Sequence, residues 1–301
     1  MTNLKLYRRA LVPVLGLVLL LVPAQSPAAP GLGNVEVTPD HVAAGSTNTF
    51  KLTFTADTGP LHGQTLVDIP RGWSPPQSTR PGTTGYVALA RGACSSATRL
   101  VRIAGSRLTI ATDCKRGQQF ELTYGPAVAS TLAADGYVFL TQTKPALGLT
   151  KTKLVKVKRV VKDKTGKRVI KTTVKRVKIV VKPTFKPLAQ KKQPVVVVNG
   201  GPVDHLVLNE PTIATAGTPF AVTVRAEDVY GNTASGYTGT VGFSSSDPNA
   251  FLPTPYQFTA NDFGAKTFGG VILRASGTQR ITVSDNSGRV DVGNPITVYS
   301  F

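Results

Sequence analysis

The chain is poor in the residues that most catalytic and metal chemistry draws on. Its 301 residues include two cysteines, three histidines, one methionine and one tryptophan. His41, His62 and His205 are scattered, with no cysteine or carboxylate at ligand spacing, which excludes the common zinc signatures and a metalloprotease pair. A Gly-x-Ser-x-Gly nucleophile elbow is missing, as is a phosphate-binding glycine-rich loop; Thr165-Gly166-Lys167 lacks the earlier glycine and the following helix. Asp113 beside Cys114, or Glu210 with Glu227, can be paired on paper, but such pairs arise by chance in any strand-rich chain. No enzyme class and no cofactor is indicated. Acids are scarce as well: 16 Asp+Glu stand against 35 Lys+Arg, a formal charge of +19.

Long apolar runs are also lacking. The one candidate, Ala10 to Val22, has 13 residues including Pro13, short of the roughly 20 that cross a bilayer. Lys5, Arg8 and Arg9 precede it and Val22-Pro23-Ala24 follows, the layout of a secretory signal peptide over 1–24 with cleavage after Ala24. The chain is therefore expected to be exported, extracellular or envelope-associated, with no membrane anchor after cleavage. Cysteine usage agrees. Cys94 and Cys114 flank a hairpin pattern, Leu100 to Ile103 and Leu108 to Ile110 about the turn Ala104-Gly105-Ser106, and a disulfide is expected between them. Two buried thiols or half a metal site are the alternatives.

What is present is unevenly placed. Residues 151–193 hold 17 Lys+Arg and one acid, Asp163, whereas 30–150 hold 10 bases and 7 acids and 194–301 hold 5 and 8. A basic globular domain that binds nucleic acid over its whole surface is thereby excluded. The rest of the mature chain reads as strands: Phe50, Leu52 and Phe54 alternate onto one face, and so do Phe220, Val222 and Val224. Each alternating strand follows an Ala-Gly turn, Ala44-Gly45 in one case and Ala216-Gly217 in the other. Seven or more strands in about 100 residues predict a β-sandwich. Trp73 either plugs one end of the first core or stacks on a ligand. Asp228, Asn232, Asp247 and Asp262 read as turn residues, with convergence on Ca²⁺ as the alternative.

Ordered phrases in the second half carry a family resemblance. They are Ala216-Gly217-Thr218-Pro219-Phe220, Ala226-Glu227-Asp228-Val229-Tyr230-Gly231-Asn232, Gly236-Tyr237-Thr238-Gly239-Thr240-Val241, Ser244 to Pro248, Phe258 to Asp262 and Gly277 to Val283. Residues 203–301 resemble the bacterial Ig-like domains of the invasin/intimin-related type. Residues 35–145 are similar to such modules through Val37-Thr38-Pro39, Ala44-Gly45-Ser46 and Ile69 to Trp73. The resemblance implies Ig-like sandwiches serving as stalk, spacer or adhesive modules, without catalytic residues to carry over. Some surface Ig-like domains form Lys–Asn crosslinks, which makes Lys51 and Lys266 candidates for one.

The expected organisation is all-β: a signal peptide (1–24), an Ig-like sandwich (31–150), a basic Lys/Val-rich hairpin or linker (151–193) and a second Ig-like sandwich (194–301). Asp163 to Gly166 is good turn chemistry, so the insert reads as a hairpin with arms 153–162 and 167–182. Its cations are Lys153, Lys156, Lys158, Arg159, Lys162, Lys164, Lys167, Arg168, Lys171, Lys175, Arg176, Lys178 and Lys182. One reading is a solvated linker whose lysines protect strand edges. The other is a ribbon binding anionic envelope polymer, lipid head groups or extracellular DNA through 151–182. No aromatic residue lies in that span, so base stacking has no support. A non-enzymatic structural or adhesive protein docked to anionic surface polymer is the functional expectation. The alternative is a soluble secreted binding module with a protein or glycan ligand on its sandwich loops and an inert linker.

Overall fold

The computed structural model describes residues 30–146, 150–162, 165, 167–180 and 182–300. The signal peptide expected over 1–24 lies outside the described residues. The described chain is all-β, with two separate hydrophobic cores.

The first module begins β1 (Asn34–Thr38), β2 (His41–Ala43), β3 (Thr47–Thr55), β4 (Leu61–Asp68) and β5 (Val87–Ala90). It continues β6 (Arg99–Ala104), β7 (Arg107–Cys114), β8 (Gln119–Val128), β9 (Ala134–Val138) and β10 (Thr141–Pro145). Two strands then form an outgrowth, β11 (Thr150–Lys162) and β12 (Arg168–Val180), before β13 (Lys186–Pro187) and β14 (Val195–Asn199). Sheet β1-β3-β8-β5 faces sheet β13-β10-β4-β7-β6, and a third ladder, β2-β14-β9, closes the side. Alternation in β3 buries Phe50, Leu52 and Phe54 and turns Lys51 outward toward Glu121. Trp73 is buried against Phe50 and Phe139, with ring centroids 5.0 and 5.2 Å away, so it is a core plug.

The second module contains β15 (His205–Asn209), β16 (Ile213–Thr215), β17 (Phe220–Glu227), β18 (Thr240–Ser245) and β19 (Tyr256–Gln257). Then come β20 (Ala265–Val271), β21 (Gly277–Gln279), β22 (Ile281–Asp285), β23 (Val290–Val292) and β24 (Ile296–Tyr299). Its ladders are β15-β17-β20, β19-β18-β22-β23 and β16-β24-β21, the layout of an Ig-like sandwich. The two modules share one device. A proline, Pro39 or Pro211, interrupts the first strand because it has no N–H to give a ladder. The chain past the break crosses to the other sheet and pairs parallel with the module's last strand, β2 with β14 and β16 with β24.

One boundary differs from the sequence expectation. Val195–Asn199, placed with the second module by a division at 194, pairs with β2 and β9 and buries Val196 and Val198 in the first core. Leu188 is buried there too, and the Lys192 ammonium meets Asp57 at 2.5 Å. Alternating valines suit this doubly paired strand, and a composition shift alone could not reveal which sheet they complete. The Lys/Val-rich segment is thus an outgrowth of the first module's last hairpin, and Gly200-Gly201-Pro202 leads into the second module.

Cys94 and Cys114 are bonded. Cys114 ends β7, while Cys94 precedes β6 in a loop that folds back so that the Ser95 N–H donates to the Asp113 carbonyl at 2.9 Å. Cross-linking residues 20 apart contributes about 3 kcal/mol in the chain-entropy model. We predict that Cys94→Ser with Cys114→Ser lowers unfolding stability by about that amount in urea titration; a loss below about 1 kcal/mol would show that the loop closes without the bond. Replacing 150–180 by a two-residue turn is predicted to leave the first module's melting temperature within a few degrees. Truncating Leu188→Ala, by contrast, should cost about 2–5 kcal/mol.

Candidate functional site

β11 and β12 form an antiparallel ribbon of 13 residues per arm, about 43 Å long at about 3.3 Å per residue. Among the described residues these strands pair only with each other, so both outer edges stay open. The arms run 150–162 and 168–180, close to the 153–162 and 167–182 expected. Neither arm contains an acid.

The register decides where the charge goes. Lys156, Lys158, Lys162, Arg168, Arg176 and Lys178 occupy one face of the ribbon, and Lys151, Lys153, Arg159, Lys171 and Lys175 the other. Seven of these eleven cations stand opposite an uncharged residue, as in Lys153↔Val177, Lys156↔Val174 and Leu154↔Arg176. Only Arg159↔Lys171 and Lys162↔Arg168 set like charges opposite each other, the arrangement that destabilises a sheet. The side chains of Lys153, Lys156, Lys167, Arg168, Lys175, Arg176, Lys178 and Lys182 are exposed. Lys164 lies outside the described residues. Leu154, Ile170 and Val174 are 58–66% exposed, so the ribbon has no core beneath these positions.

The root of the ribbon is built firmly. β10 pairs with β13 through Gln142↔Pro187 and Thr143↔Lys186 and with β4 through five residue pairs. Thr143 Oγ1 accepts from the Leu32 N–H at 2.8 Å, and the Gln193 side chain bonds Thr141 at 2.8 and 3.0 Å. Lys144 lies 4.7 Å over the Phe185 ring. Burial alone would raise the Asp57 carboxyl, but the Lys192 ammonium holds it below the usual range.

Near this root Ser95, Asp113 and His62 meet, the residue types of a hydrolase triad. Their wiring is wrong for one. Asp113 sits in the middle, accepting from the Ser95 hydroxyl on one oxygen and contacting His62 Nδ1 with the other. A triad needs the imidazole between the acid and the hydroxyl, so that it can take the hydroxyl proton. Here the cluster ties the Cys94 loop to β4 and β7. The Ser95 hydroxyl and then His62 hold the Asp113 carboxyl below its usual value.

At the far end of the first module lies a joint that the sequence only hinted at. Asp228 is buried, and its carboxylate accepts from the N–H groups of Gly201, Tyr230 and Asn232 at 2.7–2.9 Å and from the Asn232 amide. Asn232 in turn donates to the Thr131 carbonyl at 2.8 Å and accepts from the Ala133 N–H at 2.9 Å, bonding across to the first module. A Cβ on Gly200 would stand 2.0 Å from the Thr233 carbonyl oxygen, and one on Gly45 would strike the Tyr230 ring. The Gly-Gly-Pro sequence beside an Asp-x-x-Gly-Asn loop was the available signal. An open groove of about 630 Å³ runs past this joint, lined by Gly201, Pro202, Tyr237, Thr238, Asn286 and Arg289.

The carboxylates weighed as Ca²⁺ ligands serve separate turns. Asp247 accepts from Asn249, Arg274 and Ala275 N–H groups, and Asp262 from the Thr259 N–H and hydroxyl. Among the described residues no group of three or more His, Cys, Asp or Glu is placed to share a metal ion. Lys266 sits 3.1 Å from Asp262 and 4.7 Å over the Tyr256 ring, an ion pair with a carboxylate.

No family model and no curated protein matches the chain. Among solved structures it aligns with the adhesin InvE of Yersinia pseudotuberculosis at 11% identity and TM-score 0.26, covering 88% of this chain and 58% of that one. A putative membrane-anchored protein of Corynebacterium diphtheriae gives 14%, 0.27, 89% and 53%. The type II cohesin dyad of the ScaA scaffoldin from Acetivibrio cellulolyticus gives 9%, 0.27, 90% and 97%. The chain thus spans little more than half of the first two structures, and at such TM-scores the architecture rests on its own strand order and register. Among the described residues no helix is long and apolar enough to cross a membrane.

Acid should test the joint. Burial works against ionisation of Asp228, Asp247 and Asp285, yet their hydrogen bonds hold all three below the usual value. Asp262, bonded foremost by the Thr259 N–H, lies at about 2. Folded values below the unfolded value near 4 contribute stability that is complete above about pH 5 and lost as the pH falls through the folded values. Burial raises Glu210, which acts in the opposite sense. We predict that the second module's melting temperature declines steeply between about pH 4 and 2; a flat profile would sink this assignment. Asn232→Ala removes both bonds to the first module and should broaden the distance distribution between modules in small-angle scattering, leaving each module folded. An unchanged distribution would show that the joint is held elsewhere.

Proposed function

We propose that this is an exported, non-enzymatic structural or adhesive protein, held at the cell envelope by docking its cationic ribbon on anionic surface polymer. The observation that supports this reading most is the ribbon itself. Fourteen Lys+Arg and one acid lie within 151–182, on a hairpin with open edges and a well-packed root, while the sandwich that bears it needs none of them for its core. Lysine outnumbers arginine there by 11 to 3. Lysines act as point charges, whereas arginine's fork reads particular oxygens, so the attraction is to charge density. The ribbon leaves the pole of the first module opposite the one that bonds Asn232, so a docked ribbon leaves the second module and its loops presented outward.

The test is fractionation of a producing culture into medium and envelope, followed by salt washes. Intact protein is expected in the envelope at low salt and released by about 1 M salt, where screening acts within about 3 Å. A variant lacking 150–180 is expected in the medium. Retention that survives 1 M salt, or that ignores the deletion, would overturn ribbon docking. The second reading, a soluble binding module with its ligand on the loops, is favoured by the groove at Gly201, Tyr237 and Arg289. It predicts that the deletion leaves both ligand binding and location unchanged.

A further inference from the structure

The ribbon's charge is two-sided, and a single docking surface does not need that. A ribbon adapted to lie flat on a bilayer or on one polymer chain would gather its cations on one face and its apolar residues on the other. Here the register assigns six strand cations to one face and five to the other, with valines shared between both. Both faces stand open where side chains are described: Leu154, Ile170 and Val174 are exposed on one and Val155, Val177 and Ile179 on the other. Each face is about 43 Å long, enough to follow a stretch of linear polymer. We infer that the ribbon is a bridge: it binds two chains of a linear phosphate-bearing polymer at once, one on each face, and so cross-links the polymer that retains the protein. This rests on ribbon docking as proposed above and adds the valence and the chemistry of the ligand.

Phosphate polymers are the fitting class because lysine ammonium groups suit dispersed oxyanions and no aromatic residue offers a stacking platform. Same-face side chains along one arm recur about every 6.6 Å, and such a ladder follows a repeating backbone without reading its subunits. Either a polyol-phosphate chain of the envelope or extracellular DNA supplies that chemistry.

The experiment is a two-chain capture with the chain lacking residues 1–24. Poly(glycerol phosphate) is immobilised, loaded with protein and washed at low salt, then challenged with fluorescent poly(glycerol phosphate); a second arm uses fluorescent duplex DNA for the challenge. Two variants are compared with the unaltered chain. One changes Lys156, Lys158, Lys162, Arg168, Arg176 and Lys178 to Gln, and the other changes Lys151, Lys153, Arg159, Lys171 and Lys175 to Gln. Both modules keep every core residue in each variant, and far-ultraviolet circular dichroism checks their folding. The unaltered chain is expected to capture the second polymer in both arms. Each variant should still bind the immobilised chain, with a slope of log affinity against log salt of about −5, as about five or six phosphate contacts from one face give, and should capture at least tenfold less of the second polymer. Capture by a one-face variant equal to that of the unaltered chain, the result a protein dimer with one ribbon per polymer would give, overturns the bridge. So does unaltered protein that binds the first chain and captures none, or that captures DNA alone. Failure of the unaltered protein to bind the first chain would instead remove the docking reading on which the bridge rests.

Discussion

The short parallel pairing of β2 with β14 is the constraint on which the layout depends. Three residue pairs, from Val197↔His41 to Asn199↔Ala43, close the first sandwich and fix the last strand between β2 and β9. Both unusual features of the molecule hang on that strand. The ribbon's return leg reaches β14 through Leu188 and Gln193 at one end, and Gly200 leads from its other end into the second module. The parallel contact exists because Pro39 breaks the first strand and lets the chain change sheets. The second module repeats the device at Pro211, which is why two halves with little sequence in common build the same closure.

Electrostatics and packing are kept apart in this fold. Cations of the ribbon face solvent at every position where a side chain is described, and Asp228, Asp247 and Asp262 of the second module are each tied to a separate turn by backbone N–H groups. The ribbon therefore carries its charge without straining a core, and the cores do not depend on the ribbon. The cost is local: two pairs of like charges and several exposed valines and isoleucines make a two-stranded sheet of marginal stability in isolation. An anionic partner would neutralise the first defect, and the firm root at β4, β10 and β13 limits the second.

Much of this was legible in the sequence, for reasons that can be named. Period-two alternation around Phe50 and Phe220 identified inward faces, and Ala-Gly turns marked the same point in both modules; the turn expected over Asp163 to Gly166 lies, but for Thr165, outside the described residues. These are local signals, and strands of half-buried sheets carry them residue by residue. The membership of Val195–Asn199 was not legible, because an alternating valine strand fits either module and only long-range pairing decides. The two-faced charge was not legible either. Parity along one arm can be counted from sequence, but the register that fixes which cations share a face depends on where the turn closes. The meeting of Ser95, Asp113 and His62 was invisible for the same reason, and its order around Asp113 matters more than its composition.

Because the ribbon and the second module leave β14 from opposite ends, the strand lies on the path of any tension between them. Tension between an anchored ribbon and a load on the second module would run along β14, in line with its ladders to β2 and β9. Its ladder bonds would then be sheared together, not opened one at a time from an end. A strand loaded in that direction resists force through all its hydrogen bonds at once, so the smallest ladder of the first sandwich would be the element that sets how hard the molecule can be pulled.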